Sequence, residues 1–270
     1  MIDPRTLAGE FAAAYAARRP IAVPPSARPD GLDMSEAYAV AAELERMRQA
    51  AGHVIVGRKV GFANKAMWRV LGLDTLAWGS MYDDTVKYAE LGDATLNVAA
   101  MWAPKIEPEI VFKMRTALGA GADAASALAA VESMALGFEI IDCPFPEWQF
   151  KPPDLVASYG FHAALIVGSP VGVQPATIPG LVDTLSRFTV TLTKNSDVVA
   201  EGSGRNVLRS PALCLAELAA ASARQQDAQP LAAGELVSTG TLTDSQRIGS
   251  GEIWTAAVDG IELPVLTLRT

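Results

Sequence analysis

Between Ile106 and Met114 the chain alternates: Ile106, Pro108, Ile110, Phe112 and Met114 share one parity, and Glu107, Glu109 and Lys113 the other. On a strand, residues two apart point to the same face. The segment is therefore expected to bury one face and to set two carboxylates side by side on the other. Their mutual repulsion calls for a compensating cation, which a hard divalent metal supplies. An ordinary strand with one solvated face is the competing reading, and Lys113 on the carboxylate face keeps it open.

A second run, Ala135-Leu136-Gly137-Phe138-Glu139-Ile140-Ile141-Asp142, embeds a glutamate among residues that should be buried. An unpaired carboxylate there would be costly. In a central strand Glu139 must meet a cation or donors, and a metal shared with Glu107 and Glu109 provides one. Asp142 has the opposite parity and ranks behind Glu139 as a ligand. Two histidines in 270 residues cannot build a His-rich site, and an all-carboxylate set favours Mg2+ or Mn2+ over zinc.

The chain is half apolar, enough to bury one large core, or a core with a small appendage, and too apolar for disorder. A net charge of −8 and no basic run longer than Arg18-Arg19 exclude a nucleic-acid partner. Cys143 and Cys214 are the only cysteines; they suit a reducing compartment, hence a cytoplasmic protein, and are expected to be structural thiols. Residues from Met1 to Arg19 are Ala-rich but interrupted by charges, so neither a signal peptide nor a membrane span is expected.

That stretch reads as a helix capped by Asp3 with Pro4 in its first turn, and Pro20 to Asp33 separates it from a second helix, capped by Ser35 and ending near Gln49. Residues 1–56 are thus a helical N-terminal portion. Residues 57–270 form a β-rich catalytic core, which makes the fold class α+β. Helices are expected over Ala124 to Met134 and Ser210 to Gln225. One hairpin should turn at Lys194 to Asp197, and another at Asp259-Gly260 through a two-residue turn.

Further polar signals are Lys59 between glycines in Gly57-Arg58-Lys59-Val60-Gly61, and Asp83-Asp84 closing Trp78-Gly79-Ser80-Met81-Tyr82. A surface lysine and a turn aspartate are the plain alternatives. With Lys65-Ala66-Met67, Leu71-Gly72-Leu73-Asp74, the two glutamate segments and Ser238-Thr239-Gly240-Thr241-Leu242-Thr243, these pieces occur in one order. In that order the chain resembles the 2-keto-4-pentenoate hydratase and 4-oxalocrotonate decarboxylase family of the fumarylacetoacetate hydrolase superfamily, over nearly its whole length.

The resemblance implies a helical N-terminal portion and a mixed β-sheet core of the fumarylacetoacetate hydrolase type. It implies Glu107, Glu109 and Glu139 as ligands of Mg2+ or Mn2+, Lys59 as the active-site lysine, and Asp84 as a carboxylate near the reacting carbons. Ser238, Thr239, Gly240 and Thr241 would bind the substrate carboxylate, and Trp148, which matches the family, would lie over the site on a lid. The implied activity is metal-dependent hydration or decarboxylation of a small 2-oxo or 2-hydroxy-dienoic acid through a stabilised enolate, in aromatic-compound catabolism. A homo-oligomer, complexed with a homologous decarboxylase or hydratase, is expected with it. The alternatives are an acylpyruvate C–C hydrolase using His162 as base and a non-catalytic partner subunit. Lys59 would act as a proton shuttle only if its environment lowered its pKa.

The chain departs from the family between Cys143 and Phe161. The Asp-Asn pair of the hydratases is Ser158-Tyr159 here, and the later serine is Phe161, followed by His162. A bulkier or more apolar substrate would fit. His162 reads as a satisfied core histidine.

Overall fold

The computed structural model describes residues 3–225 and 229–270. Met1 and Ile2, assigned above to the first helix, and residues 226–228 of the expected core lie outside the described residues. Helix α1 (Pro4–Ala16) opens as expected, with Asp3 accepting from the Thr6 amide and Pro4 in the first turn. Helix α2 (Met34–Ala50) is capped by Asp33, not Ser35. Asp33 accepts from the Glu36 amide and Glu36 accepts from the Asp33 amide, and that reciprocal pair satisfies two orphan donors where a serine two positions later satisfies none.

From there the chain is mostly strand: β1 (Ile55–Gly61), a short α3 (Lys65–Leu71), β2 (Ala77–Tyr82), β3 (Val86–Tyr88), β4 (Asp93–Thr95) and the long β5 (Lys105–Met114). Helix α4 (Ala124–Ala129) follows and is shorter than the expected Ala124 to Met134, because Val131 to Met134 open β6 (Val131–Ile141). Pairing of Ser133 with Lys113 and of Val131 with Met114 claims those residues for the sheet, a tertiary gain that overrides helix propensity. Then come α5 (Pro152–Ala157), β7 (His162–Val167), β8 (Val171–Gly172), α6 (Ile178–Thr184), β9 (Thr189–Lys194) and β10 (Asp197–Ser203). Last are α7 (Pro211–Ser222), capped by Ser210, and β11 (Leu236–Ser238), β12 (Gln246–Arg247), β13 (Ile253–Asp259) and β14 (Leu266–Arg269).

The β9–β10 hairpin turns through Asn195 and Ser196, both in left-handed backbone, as a tight two-residue turn requires. The C-terminal hairpin does not turn at Asp259-Gly260. Ala256 pairs with Leu266 while Asp259 pairs with Thr189 of β9, so a longer loop intervenes. Pro264 has no amide to donate there and Leu263 is drawn into the core.

Two sheets result. The larger orders its strands β2-β1-β11-β5-β6-β7-β3, with β12 and β8 added beside β5 and β6; the smaller is β10-β9-β13-β14-β4. The even-numbered side chains of β5 and β6, such as Ile110, Phe112, Leu136 and Phe138, share one core with Val190, Leu192, Trp254 and Leu268 of the smaller sheet and with α7. A second apolar cluster joins Leu7, Phe11, Val40 and Leu44 of α1 and α2 to Phe145, Leu155 and Phe161. The N-terminal helices thereby brace the segment that departs from the family. Both cysteines are free and buried, and burial pushes the Cys143 thiol up to about 12. No helix among the described residues is long and apolar enough to cross a membrane.

Candidate active site

The register of β5 against β6 sets Glu107 directly opposite Glu139 and Glu109 opposite Gly137. All three carboxylates project from the face turned away from the shared core, and an oxygen of each lies within 4.8 Å of an oxygen of the others. Glu109 and Glu139 are fully buried, while Glu107 lines a cavity of about 660 Å3.

Neighbouring strands supply the supports. Strand β11 lies between β1 and β5, so Lys59, Ser238 and Val111 stand in one row across the sheet. Ser238 Oγ donates to Glu109 Oε2 at 2.5 Å, and the Gly240 amide donates to the same oxygen at 2.8 Å. Lys59 Nζ lies 3.2 Å from Glu139 Oε2 and donates to the Gly160 carbonyl at 3.0 Å. Gly57, two residues before Lys59 and paired with Leu236, faces the Leu236 carbonyl with no room for a methyl group.

The Gly160 carbonyl is delivered by an unusual turn. Tyr159, Gly160 and Phe161 have φ of 56°, 62° and 58°, and non-glycine residues in the left-handed region cost of order 1 kcal/mol each. Gly160 also packs against Gly79, where a side chain at either position would intrude. Such strain is held only where surrounding structure over-determines it, and it clusters at functional sites.

His162 is the functional neighbour that sequence reasoning left as a core residue. In regular register the β6–β7 pairing of Glu139 with Leu165 and Ile140 with Ala164 would continue to Ile141 with Ala163. A bulge pairs Ile141 with His162 instead, and so rotates the imidazole onto the carboxylate face. Its Nδ1 is 3.0 Å from Glu139 Oε1 and its Nε2 3.0 Å from Thr85 Oγ1. A histidine directly after the altered Ser158 to Phe161 stretch was visible in the sequence; the direction of its side chain was not.

Burial, and then the charge of Glu139, push Glu107 up to about 7 and Glu109 well above the carboxylate range. Burial opposes the Lys59 charge, yet the Glu139, Glu107 and Glu109 carboxylates outweigh it and hold its pKa above the ordinary lysine value. The condition set above for Lys59 as a base, a lowered pKa, is therefore not met in the metal-free site. Glu109 Oε1 is buried with no hydrogen-bond partner among the described residues, and Glu139 Oε2 has only its ion pair with Lys59. Three converging carboxylates with an orphaned buried oxygen fit a hard divalent cation.

Other expected site residues lie as follows. Gly240 and Thr241 line the cavity, but Thr239 is buried with its hydroxyl donating to the Ile110 carbonyl. Ser238 and Gly240 spend their donors on Glu109, so their position is that of supports to a carboxylate rather than receptors of substrate. Trp148 lines the cavity with Phe150 and Phe161, its indole N–H donating to the Ala103 carbonyl at 3.1 Å. Asp84 is not brought to this cavity. Gly79 pairs with Lys59 on antiparallel strands, so Asp84 lies beyond the end of β2, where it pairs with Arg48 at 2.5 Å and is 43% exposed. Asp142 accepts from the Trp102 and Ala103 amides, away from the triad.

No family model matches the chain. Over 232 residues it is 30% identical to a 4-oxalocrotonate decarboxylase of Pseudomonas sp. (strain CF600), covering 85% of this chain and 83% of that protein. Over 249 residues it is 28% identical to a 2-keto-4-pentenoate hydratase of Paraburkholderia xenovorans (strain LB400), covering 90% and 86%. The solved 4-oxalocrotonate decarboxylase of Pseudomonas putida G7, complexed with magnesium and adipate, superposes with a TM-score of 0.88 at 25% identity, over 98% of this chain and 96% of that one.

Proposed function

The chain belongs to the 2-keto-4-pentenoate hydratase and 4-oxalocrotonate decarboxylase family, and from that membership we propose that it is a divalent-metal-dependent lyase. Its substrate class is the small 2-oxo or 2-hydroxy-dienoic acids that arise in aromatic-compound catabolism. The observation that carries the reading is the converging triad of Glu107, Glu109 and Glu139 with Lys59 beside it. These carboxylates would hold Mg2+ or Mn2+, which when bound supplies Lewis-acid stabilisation to a developing enolate.

The chain's own residues do the rest. Ser238 and Gly240 fix Glu109, and His162 fixes Glu139, so the ligand set is held before any ion arrives. Lys59, kept as an ammonium by its carboxylate neighbours, offsets negative charge at the cavity wall and can hydrogen-bond a substrate oxygen. The aromatic lid of Trp148, Phe150 and Phe161 excludes water from the reacting carbons.

The hydrolase alternative needs a free base, but both nitrogens of His162 are engaged and the residue faces another cavity, with Tyr82 and Thr85. A non-catalytic subunit has no use for three facing buried carboxylates. A cytoplasmic site, and assembly as a homo-oligomer or with a homologous decarboxylase or hydratase, complete the proposal; light scattering of the purified protein tests the assembly.

The test of activity is 1H NMR of the protein with Mg2+ or Mn2+ and freshly generated 2-hydroxypenta-2,4-dienoate or 2-oxohex-3-enedioate, with Glu109→Gln as control. Metal-dependent consumption that the control abolishes is expected, and the product names hydration or decarboxylation. Persistence of these and of all related 2-oxo acids with metal bound would overturn the reading.

A further inference from the structure

The cavity beside the triad is lined by a lysine that makes no ion pair among the described residues. Of the two lysines that line it, Lys59 is spent on Glu139 and the Gly160 carbonyl. Lys105 makes no ion pair and no hydrogen bond among the described residues; its Nζ stands 3.9 Å from the centre of the Trp148 ring. It shares a strand face with Glu107 and Glu109 and feels the Glu107 charge, but no carboxylate among the described residues reaches ion-pair distance, and a part-buried ammonium that no anion touches at a cavity wall is a receptor for a mobile anion.

Counting charge sets how many anionic groups the site accepts. Three carboxylates, one divalent ion and the Lys59 ammonium sum to zero, so a bound substrate carboxylate must find its counter-charge elsewhere, and Lys105 is the remaining cation lining the cavity. A second carboxylate has none. The rest of the wall mixes an apolar set, Phe62, Met67, Leu71, Trp148, Phe150 and Phe161, with neutral polar residues such as Asn64, Asn206 and Thr243, and its one further charge, Asp244, is negative. At about 660 Å3 the space lies within the roughly 300–1,000 Å3 that accommodates drug-sized ligands, more than a five-carbon acid fills. Phe161, where the family carries a serine, closes the aromatic cluster with Trp148 and Phe150, its ring centroid 5.9 Å and 4.7 Å from theirs.

We propose that the substrate is a monocarboxylic 2-oxo or 2-hydroxy-dienoic acid carrying a bulky apolar group, aryl or branched alkyl, at the end remote from its carboxylate. In this assignment Lys105, held over Trp148, is the specificity-determining counter-charge, and Phe150 and Phe161 receive the apolar group. The inference rests on the metal-dependent 2-oxo acid reading above and narrows it to a substrate class.

The test measures binding and needs no turnover. Mn2+-loaded full-length protein is titrated calorimetrically with three saturated acids that cannot be hydrated: 2-oxopentanoate, 2-oxo-6-phenylhexanoate and 2-oxohexanedioate. The phenyl acid is expected to bind on the order of tenfold tighter than 2-oxopentanoate or better, and the dicarboxylate no tighter than 2-oxopentanoate. In Phe150→Gln, at a part-buried position packed against the second apolar cluster, the phenyl advantage should shrink; in Lys105→Met all three acids should weaken alike. Equal binding of the phenyl and pentanoate acids, tightest binding of the dicarboxylate, or a Lys105→Met effect confined to the dicarboxylate would overturn the substrate class alone. Failure of every 2-oxo acid to bind, or of Mn2+ itself to bind, would overturn this inference and the metal-dependent function together.

Discussion

Glu109 shows how little of a residue's environment is set by its own strand. Its parity beside Glu107 is a local property and was readable. The two donors that hold it, the Ser238 hydroxyl and the Gly240 amide, arrive from a segment more than a hundred residues away. His162 carries the same lesson further, since its imidazole reaches Glu139 only because the β6–β7 ladder slips by one residue. A residue that orients a metal ligand contributes about 10–100-fold in affinity. His162→Ala is therefore expected to weaken Mn2+ binding by about that factor, with His162→Asn recovering part of it if the new amide still donates to Glu139. Electron paramagnetic resonance titration of free Mn2+ measures both, and an unchanged affinity in the alanine variant would remove His162 from the metal's support.

Among elements, the connection between the N-terminal portion and the lid is made by the second apolar cluster, by the Tyr15 hydroxyl donating to the Ser158 carbonyl and by one buried carboxylate. Asp154, fully buried in the first turn of α5, accepts from the Ser26 amide at 2.8 Å, the Ser26 hydroxyl at 2.5 Å and the Lys151 amide at 2.8 Å. Asp154→Ala leaves those donors without their acceptor and is expected to cost roughly 2–3 kcal/mol, read by urea unfolding. The alternating β5, the β9–β10 hairpin, the cap at Asp3 and the helix beginning near Ser210 were legible because period, turn chemistry and capping are short-range. The end of α4 and the C-terminal turn were not, because strand pairing partners decided them. Strand contact also governs Gly57. An alanine there meets the Leu236 carbonyl and would part β1 from β11, which carry Lys59 and Ser238. Gly57→Ala should destabilise by roughly 1–3 kcal/mol, and a fully stable variant would show that β11 can yield.

For the whole molecule, the triad is a source of instability that a metal held by it would relieve. Burial raises the Glu107 pKa to about 7 and lifts that of Glu109 well above the ordinary carboxylate value. A carboxyl whose folded pKa lies above its unfolded value binds its proton more tightly in the folded chain. Its stabilising contribution is present below the unfolded pKa and is lost as pH rises through the folded one. The metal-free protein should therefore lose Tm between about pH 5 and about pH 8. Mg2+ or Mn2+, which binds the deprotonated ligands, should raise Tm more at the upper pH than at the lower. Scanning calorimetry at both pH values, with and without metal, checks this; a larger metal shift at the acid end would contradict it.

The sequence alone determined that Glu107 and Glu109 share a face, that a buried Glu139 needs a cation or donors, that an all-carboxylate set suits a hard ion, and which family orders its motifs this way. These follow from side-chain period, the cost of burying charge and ligand chemistry, none of which depends on distant chain. Tertiary structure decided that Glu139 stands directly across from Glu107, that Ser238 and Gly240 serve Glu109, and that His162 turns inward. It also left Asp84 at the exposed end of β2 and Lys105 unpaired in the cavity. Strand order, register and bulges set those positions, and they are chosen by the packing of the whole sheet rather than by any segment within it.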